Sequence, residues 1–173
     1  PLASRSVLAE RALRPRATAA AGPSEGELAR AYFPLVLLVA LLDLATKAFA
    51  VAGLEGTVAL GGPFALHLVH NTASAGGVWL GAQTRELNVM ATGVVIGLLT
   101  MLVPTLARLD RRSTVALALM AGGGVGNLVS LIASPRGVPD FIAVRHAGGA
   151  WVLNVADVFM FAGLLMLGGT VLV

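Results

Sequence analysis

Four apolar runs, at about Phe33–Ala52, Leu87–Ala107, Val115–Ala133 and Trp151–Val173, constrain this chain more than any other feature of it. Each approaches the ~20 residues that cross a hydrocarbon core as a helix. Lipid offers backbone N–H and C=O groups no partner, so a run of this kind satisfies them internally by coiling. The remaining composition agrees. With 57% hydrophobic and 12% charged residues in 173, the chain is too apolar for an ordinary soluble domain. The sequence therefore predicts an all-α integral membrane protein with four transmembrane helices, one domain over 31–173 behind a basic, disordered tail over 1–30.

The formal charge of +3 and an isoelectric point near 10.6 are compatible with nucleic-acid binding, but the arginines are placed for topology. They crowd into the tail (Arg5, Arg11, Arg14, Arg16) and the loop Arg108–Arg112, with no aromatic and basic platform between. The missing initiator Met and the Arg- and Ser-containing start leave an organelle transit peptide open. The positive-inside tendency favours a cytoplasmic tail, with the Arg108–Arg112 loop on the same side and both termini inside. Gly53–Glu86 and Ser134–Ala150 then lie outside. Ser24 and Glu27 have the spacing of a capping box for a short helix leading into the membrane. There is no cysteine, hence no disulfide, thiol nucleophile or thiolate metal site.

The unusual polar residues gather in the outer segments and at their borders. Gly61-Gly62-Pro63 signals a turn, and the loosely alternating Phe64–His70 that follows reads as a strand, giving a small extracytoplasmic β element between helices 1 and 2. His67 and His70, three apart, would fall on opposite faces of that strand, and His146 is remote, so they are read as interfacial residues and no metal site is predicted. Asn154 and Asp157, also three apart, would share one face near the start of the last apolar helix. A carboxylate at the mouth of such a helix is costly unless it meets water, a partner or a substrate. Asp140, in the polar stretch just before that helix, supplies the partner, and two acids at one membrane face suggest paired-carboxylate hydrolysis.

Polar residues inside the helices are read against this pair. Asp43 and Lys47 have the i,i+4 order of a same-face ion pair, with Lys47 able to snorkel to the outer interface. Gly122–Asn127 lacks the Lys-Ser/Thr of a phosphate loop, and Gly122 with Gly126 forms a small-residue face for close helix packing. Gly93 with Gly97 offers a similar face on the second helix. Asn127 would point its amide into the bundle interior, for an interhelical hydrogen bond or for function.

Five fragments occur in a telling order: Asp43-Leu-Ala-Thr-Lys47, Asn71-Thr-Ala-Ser-Ala-Gly-Gly-Val-Trp79, Gly123-Gly-Val-Gly-Asn-Leu128, Val138-Pro-Asp-Phe-Ile142 and Asn154-Val-Ala-Asp157. In this order, over about Leu41 to Ala162, they resemble the lipoprotein signal peptidase (signal peptidase II) family. The resemblance implies that Asp140 and Asp157 are the catalytic aspartates and that Asp43, Lys47, Asn71, Asn127 and Asn154 position substrate or support the dyad. Two positions depart from the family pattern. Ser130-Leu131 stands where Asp-Arg is usual, and Ala73 takes the place of the first glycine of the second fragment.

What the resemblance implies for function is a membrane aspartyl endopeptidase without cofactor. It would remove the signal peptide from diacylglyceryl-modified prolipoproteins, cutting before the lipidated cysteine. It would work as a monomer among membrane lipids, a multi-pass protein of the bacterial cytoplasmic (inner) membrane. Two close carboxylates share a proton, so that the ionised one activates water and the protonated one polarises the scissile carbonyl. The alternatives are an inactive or slow relative that binds lipoprotein signal helices, which Ser130 and Leu131 keep open, and a small ion- or proton-coupled transporter using Asp43, Asp140 and Asp157. Transport folds carry internal repeats or broken midplane helices, and neither is evident in the sequence.

Overall fold

The computed structural model describes residues 22–72 and 81–171. The first 21 residues of the basic tail and Ala73 lie outside them. Helix α1 (Glu25–Gly53) is followed by strands β1 (Thr57–Gly61) and β2 (Phe64–Asn71), helices α2 (Thr84–Leu109) and α3 (Arg112–Ala133), strands β3 (Val138–His146) and β4 (Gly149–Leu153), and helix α4 (Val155–Val171). Helices α1 to α3 are long and apolar enough to cross a membrane, and α4 is shorter, at 17 residues.

Helix α1 starts earlier than its apolar run. Ser24 Oγ accepts from the Glu27 N–H at 3.3 Å while Glu27 Oε2 accepts from the Ser24 N–H at 2.8 Å. The expected capping box thus exists, and it opens α1 itself, inside the stretch assigned to the tail. Two orphan donors of a helix start are met reciprocally. The buried residues of α1, from Leu28 and Tyr32 to Asp43, Lys47 and Ala50, recur at helical spacing and so mark one inward face.

Helix α3 is the centre of the bundle and packs against each of the other three helices. Its glycines explain how. A Cβ added at Gly122 would stand 2.6 Å from Val39 Cβ of α1, and one at Gly123 would stand 2.6 Å from the Ala156 carbonyl of α4. At Gly124 it would press on Ile96 of α2, and at Gly126 on the Asp43 carboxylate. One glycine run therefore serves three neighbours at different azimuths, which only small residues permit at such separations. The similar face expected at Gly93 and Gly97 is not used. A Cβ added at either would meet nothing within 4 Å, because both positions are exposed.

At the end of the bundle where α1 and α4 begin and end respectively in the chain's tail-side half, Leu28, Tyr32, Val103, Ala107, Leu117, Ala118 and Ala121 form the apolar core. Tyr32 hydrogen-bonds Thr100 there at 2.9 Å. The outward faces are apolar instead of polar: Phe49 is 79% exposed, Met101 76% and Leu165 77%. A contiguous surface of this kind suits lipid and would be untenable in water.

The β element is larger than the sequence suggested. β1 to β4 form one antiparallel sheet in that order, so half of its strands come from the segment between α3 and α4. Trp151–Leu153, assigned above to the last helix, is strand β4, pairing Trp151 with Val144 and Leu153 with Ile142. An apolar run that begins with three strand residues is indistinguishable by hydropathy from the helix it feeds. β2 meets β3 from Phe64 opposite Val144 to Asn71 opposite Val138. Gly137 makes the last pairing possible: it sits at φ +92°, and a Cβ there would collide with the Asn71 carbonyl. A bulge between Leu66 and Val69 resets the alternation of β2. His67 and His70, expected on opposite faces, consequently share one side of the pairing register. His67 lies 2.9 Å from Thr57 Oγ1. No group of three potential metal ligands occurs among the described residues.

The packing separates two glycine classes. Gly123→Ala should destabilise the bundle by about 1–3 kcal/mol, since α4 backbone must move to admit the methyl. Gly93→Ala, in open space on a helix, should be neutral or slightly stabilising. Thermal unfolding of the two variants in detergent checks this, and equal melting temperatures would contradict the packing role.

Candidate active site

Asn154 occupies the residue before α4, not its first turn, and this places both carboxylates. Its Oδ1 accepts from the Asp157 N–H at 3.1 Å, while Asp157 Oδ2 accepts from the Asn154 N–H at 2.9 Å. The Asn-Val-Ala-Asp stretch is thus a capping box with Asp at the third helical position. The expectation that both side chains would share a helical face is corrected accordingly. The N-terminal partial charge of α4 favours a carboxylate there.

The Asn154 amide then reaches across to strand β3. Its Nδ2 donates to Asp140 Oδ1 at 2.6 Å and to Asn127 Oδ1 at 3.1 Å. Asn71, at the end of β2, also donates to Asp140. Asn127 Nδ2 donates to the second oxygen of Asp157, Oδ1, at 3.2 Å. Asn154 and Asn127 therefore tie the two carboxylates into one hydrogen-bonded unit. Asp140 is 4% exposed, whereas Asp157 is half-buried.

Behind them stands the ion pair of α1. Lys47 Nζ lies 2.6 Å from Asp43 Oδ2 and 2.6 Å from Asn127 Oδ1, with the lysine 3% exposed. Snorkelling is thereby corrected: Lys47 turns inward because the bundle presents it with two oxygen acceptors. Asp43 uses its other oxygen, Oδ1, to accept from the Ala156 N–H at 2.8 Å, satisfying a second orphan donor of α4. The amide of Asn127 is oriented by its neighbours, since an ammonium can only donate and an ionised carboxylate can only accept. All seven predicted site residues thus fall in one connected network.

One ammonium faces three carboxylates here, so full ionisation would leave two uncompensated negative charges in a largely dry setting. The Asp140 carboxyl is pushed up from the usual carboxylate range to about 6, chiefly by burial, with the charge of Asp157 acting in the same direction. Hydrogen bonds from Asn154 and Asn71 and the Lys47 ammonium act in the opposite direction without cancelling it. Asp140 therefore keeps its proton to a higher pH than an ordinary carboxyl does.

A cavity of about 730 Å³ opens beside the pair. Asn71, Asn127, Asp140, Asn154 and Asp157 make its polar end, and Val95, Ile96, Leu99 and Met120 with Met160 make its apolar remainder. An extended ligand with an apolar body and a polar group to be acted on fits this division. The α2 wall was missed in the sequence, although Asn88 and Thr92, four apart in an apolar run, were a usable signal. Ser130 and Leu131 do not leave a hole where the family pattern carries charge. Ser130 Oγ donates to the Gly126 carbonyl at 2.9 Å, and Leu131 lines the cavity.

Residues 35–173 match the model of a family described as signal peptidase (SPase) II. A lipoprotein signal peptidase of Pseudomonas putida is 34% identical over 159 residues, 84% of this chain and 89% of that protein. One from Pseudomonas fluorescens is 35% identical over 146 residues, covering 77% and 82%. Among solved structures, a bacterial membrane enzyme determined by the in meso method at 2.3 Å superposes with a TM-score of 0.70 at 18% identity, over 87% of this chain and 90% of that one. That likeness concerns the fold alone.

Asn154 has two separable tasks. Asn154→Ser keeps a capping oxygen and loses the amide donors, so it should retain most of the stability that Asn154→Ala forfeits, about 1 kcal/mol. Because the Asn154 bond lowers the Asp140 pKa, its loss should move the protonation midpoint of Asp140 above 6. Infrared titration of the carboxyl band checks this; a midpoint unmoved in the serine variant would contradict the bridge.

Proposed function

Because the chain belongs to the signal peptidase II family, we propose that its seven-residue network is the site at which a prolipoprotein is cut before its diacylglyceryl-modified cysteine. The family makes the chain a membrane peptidase, and the transporter alternative falls away with it. The observation that carries the site assignment is the pairing of Asp140 and Asp157 through Asn154 and Asn127 at the polar end of an apolar cavity.

The geometry supports distinct roles for the two acids. Asp157 is half-exposed to the cavity and acts as the base, taking a proton from water as the water oxygen attacks the scissile carbonyl carbon. Asp140, buried and inclined to stay protonated, donates to the carbonyl oxygen as negative charge develops on it. Collapse of the tetrahedral intermediate breaks the C–N bond, Asp157 returning its proton to the departing nitrogen while Asp140 recovers its own. Acyl chains lie along the apolar walls, which draws the peptide bond to the polar end. Asp43 and Lys47 do not touch substrate. They hold Asn127 and the first turn of α4 in place.

Orientation follows from charge. The Arg108–Arg112 loop lies on the cytoplasmic side and the sheet on the other, with four crossings that place both termini inside. In a chain without cysteine, Arg111→Cys should resist an impermeant thiol reagent applied to intact cells and Gly148→Cys should react. The reverse pattern would invert the topology.

Asp140→Asn and Asp157→Asn should each lower kcat by roughly a thousandfold or more, because asparagine keeps the hydrogen bonds and loses the proton exchange. The double variant should be little worse than either, as members of one unit are not additive. Asp43→Asn should lose less. In the wild type, kcat/KM should fall as pH rises through about 6, where free Asp140 ionises. The corresponding limb of kcat should lie higher, since bound substrate excludes more water from Asp140. Purified protein and a lipidated prolipoprotein suffice for the assay; full cleavage by either single variant would remove the aspartyl mechanism.

A further inference from the structure

We infer that Thr92 is a substrate-positioning residue whose hydroxyl, on the α2 wall of the cavity, donates to a carbonyl oxygen of the lipidated substrate other than the scissile one. A threonine in an apolar helix can satisfy its hydroxyl by bonding back to a carbonyl three or four residues earlier. Thr46 Oγ1 donates in this way to the Leu42 carbonyl at 3.0 Å, Thr100 Oγ1 to that of Ile96 at 2.9 Å and Thr170 Oγ1 to that of Leu167 at 2.8 Å. Thr92 is half-buried and lines the cavity, yet its hydroxyl makes no hydrogen bond among the described residues. A hydroxyl in an apolar wall is costly unless water or a ligand meets it.

Two contacts fix the alignment of α2 against the antiparallel α3. Arg85, in the first turn of α2, donates to the Leu131 and Ile132 carbonyls at 3.1 and 3.0 Å. Further along, Ile96 lies against Gly124, where an added Cβ would stand 3.1 Å from Ile96 Cγ1. From that contact towards the Arg85 end, Thr92 is four residues away, about 6 Å of helix, and Asn127 is three residues away, about 4.5 Å. Thr92 therefore stands at nearly the depth of Asn127, whose amide bonds Asp157. Deeper in the cavity the lining is apolar, with Val95, Ile96 and Leu99 on α2 and Met120 on α3. A substrate with its scissile carbonyl at the dyad and its acyl chains along those apolar walls brings further carbonyls to the boundary that Thr92 marks. Ester and peptide carbonyls only accept, so a hydroxyl is a fitting partner. The amide hydrogens of Asn154 are already given to Asp140 and Asn127, and Lys47 is turned to Asp43 and Asn127.

The inference rests on the peptidase reading, and the test separates the two. Thr92→Val removes the hydroxyl at nearly constant volume and breaks no hydrogen bond of the free protein, so Tm should be native or higher. KM for a lipidated prolipoprotein should rise roughly two- to tenfold, the worth of one hydrogen bond, with kcat nearly unchanged. Thr92→Ser returns the hydroxyl and should return KM to the native value. Thr92→Ala, which also lacks the hydroxyl, covers the case in which the valine variant does not fold. A substrate with ether-linked in place of ester-linked chains identifies the acceptor. On it, native and Thr92→Val proteins share one raised KM where the ester carbonyl accepts, and the difference between them persists where a peptide carbonyl does; both patterns agree with the proposal. A native KM in Thr92→Val on the ester substrate, or a Thr92→Ser protein with the raised KM of the valine variant, would overturn it. A native protein that cleaves no lipidated substrate would overturn the peptidase reading and this proposal with it; an active native protein with indifferent Thr92 variants overturns only the latter.

Discussion

The Lys47 ammonium is the constraint on which the site depends. It lies 2.6 Å from both Asp43 and Asn127 at 3% exposure, and through them it reaches every other member of the network. A buried ion pair is a poor source of net stability, since desolvation offsets much of the attraction. Its value here is positional. With Lys47 donating to Asn127 Oδ1, the amide nitrogen must face Asp157, and with Lys47 neutralising Asp43, that carboxylate can cap α4 through the Ala156 N–H. Removal of the ammonium would leave three carboxylates and no cation, so the network would have to take up protons or open.

The glycines of α3 are the steric counterpart of that electrostatic requirement. Asp43 can reach the start of α4 only because α1, α3 and α4 come close, and Gly126 leaves no Cβ in the space the Asp43 carboxylate fills. Gly123 admits the α4 backbone at Ala156, the residue whose N–H Asp43 then accepts. Packing and polar satisfaction are therefore one design. The same close approach that gains dispersion contacts in the absence of a hydrophobic drive between helices also brings the polar groups within bonding distance.

How much was legible in the sequence follows from the range of each signal. Apolar length identified the helices, because membrane thickness acts on every segment alike. The Asp43 and Lys47 pairing was visible as i,i+4 spacing, but its inward direction was not, since the acceptor Asn127 is 80 positions away. Trp151–Leu153 was misassigned because a strand that runs straight into an apolar helix leaves no break in hydropathy. The partnership of β2 with β3 is a long-range pairing with no local mark, although Gly137 was a trace of it. Arg85 carried no motif at all. Its meaning lies in the carbonyls of another helix, which sequence spacing does not encode.

The first turn of α4 joins stability to chemistry. Every helix start presents N–H groups that must find oxygen, and here Asn154 and Asp43 supply it. Asp157, at the third helical position, completes the box and so has its backbone and one carboxylate oxygen fixed by the requirements of the helix end. Its other oxygen receives Asn127, and what remains of the side chain faces the cavity. Asp140 arrives on a strand whose neighbours bury it, and that burial raises its pKa above the ordinary carboxylate range. Two chemically identical side chains thus acquire different surroundings from different kinds of secondary structure. One carboxylate therefore stands at the positive end of a helix and the other in the dry edge of a sheet, within one hydrogen-bonded unit.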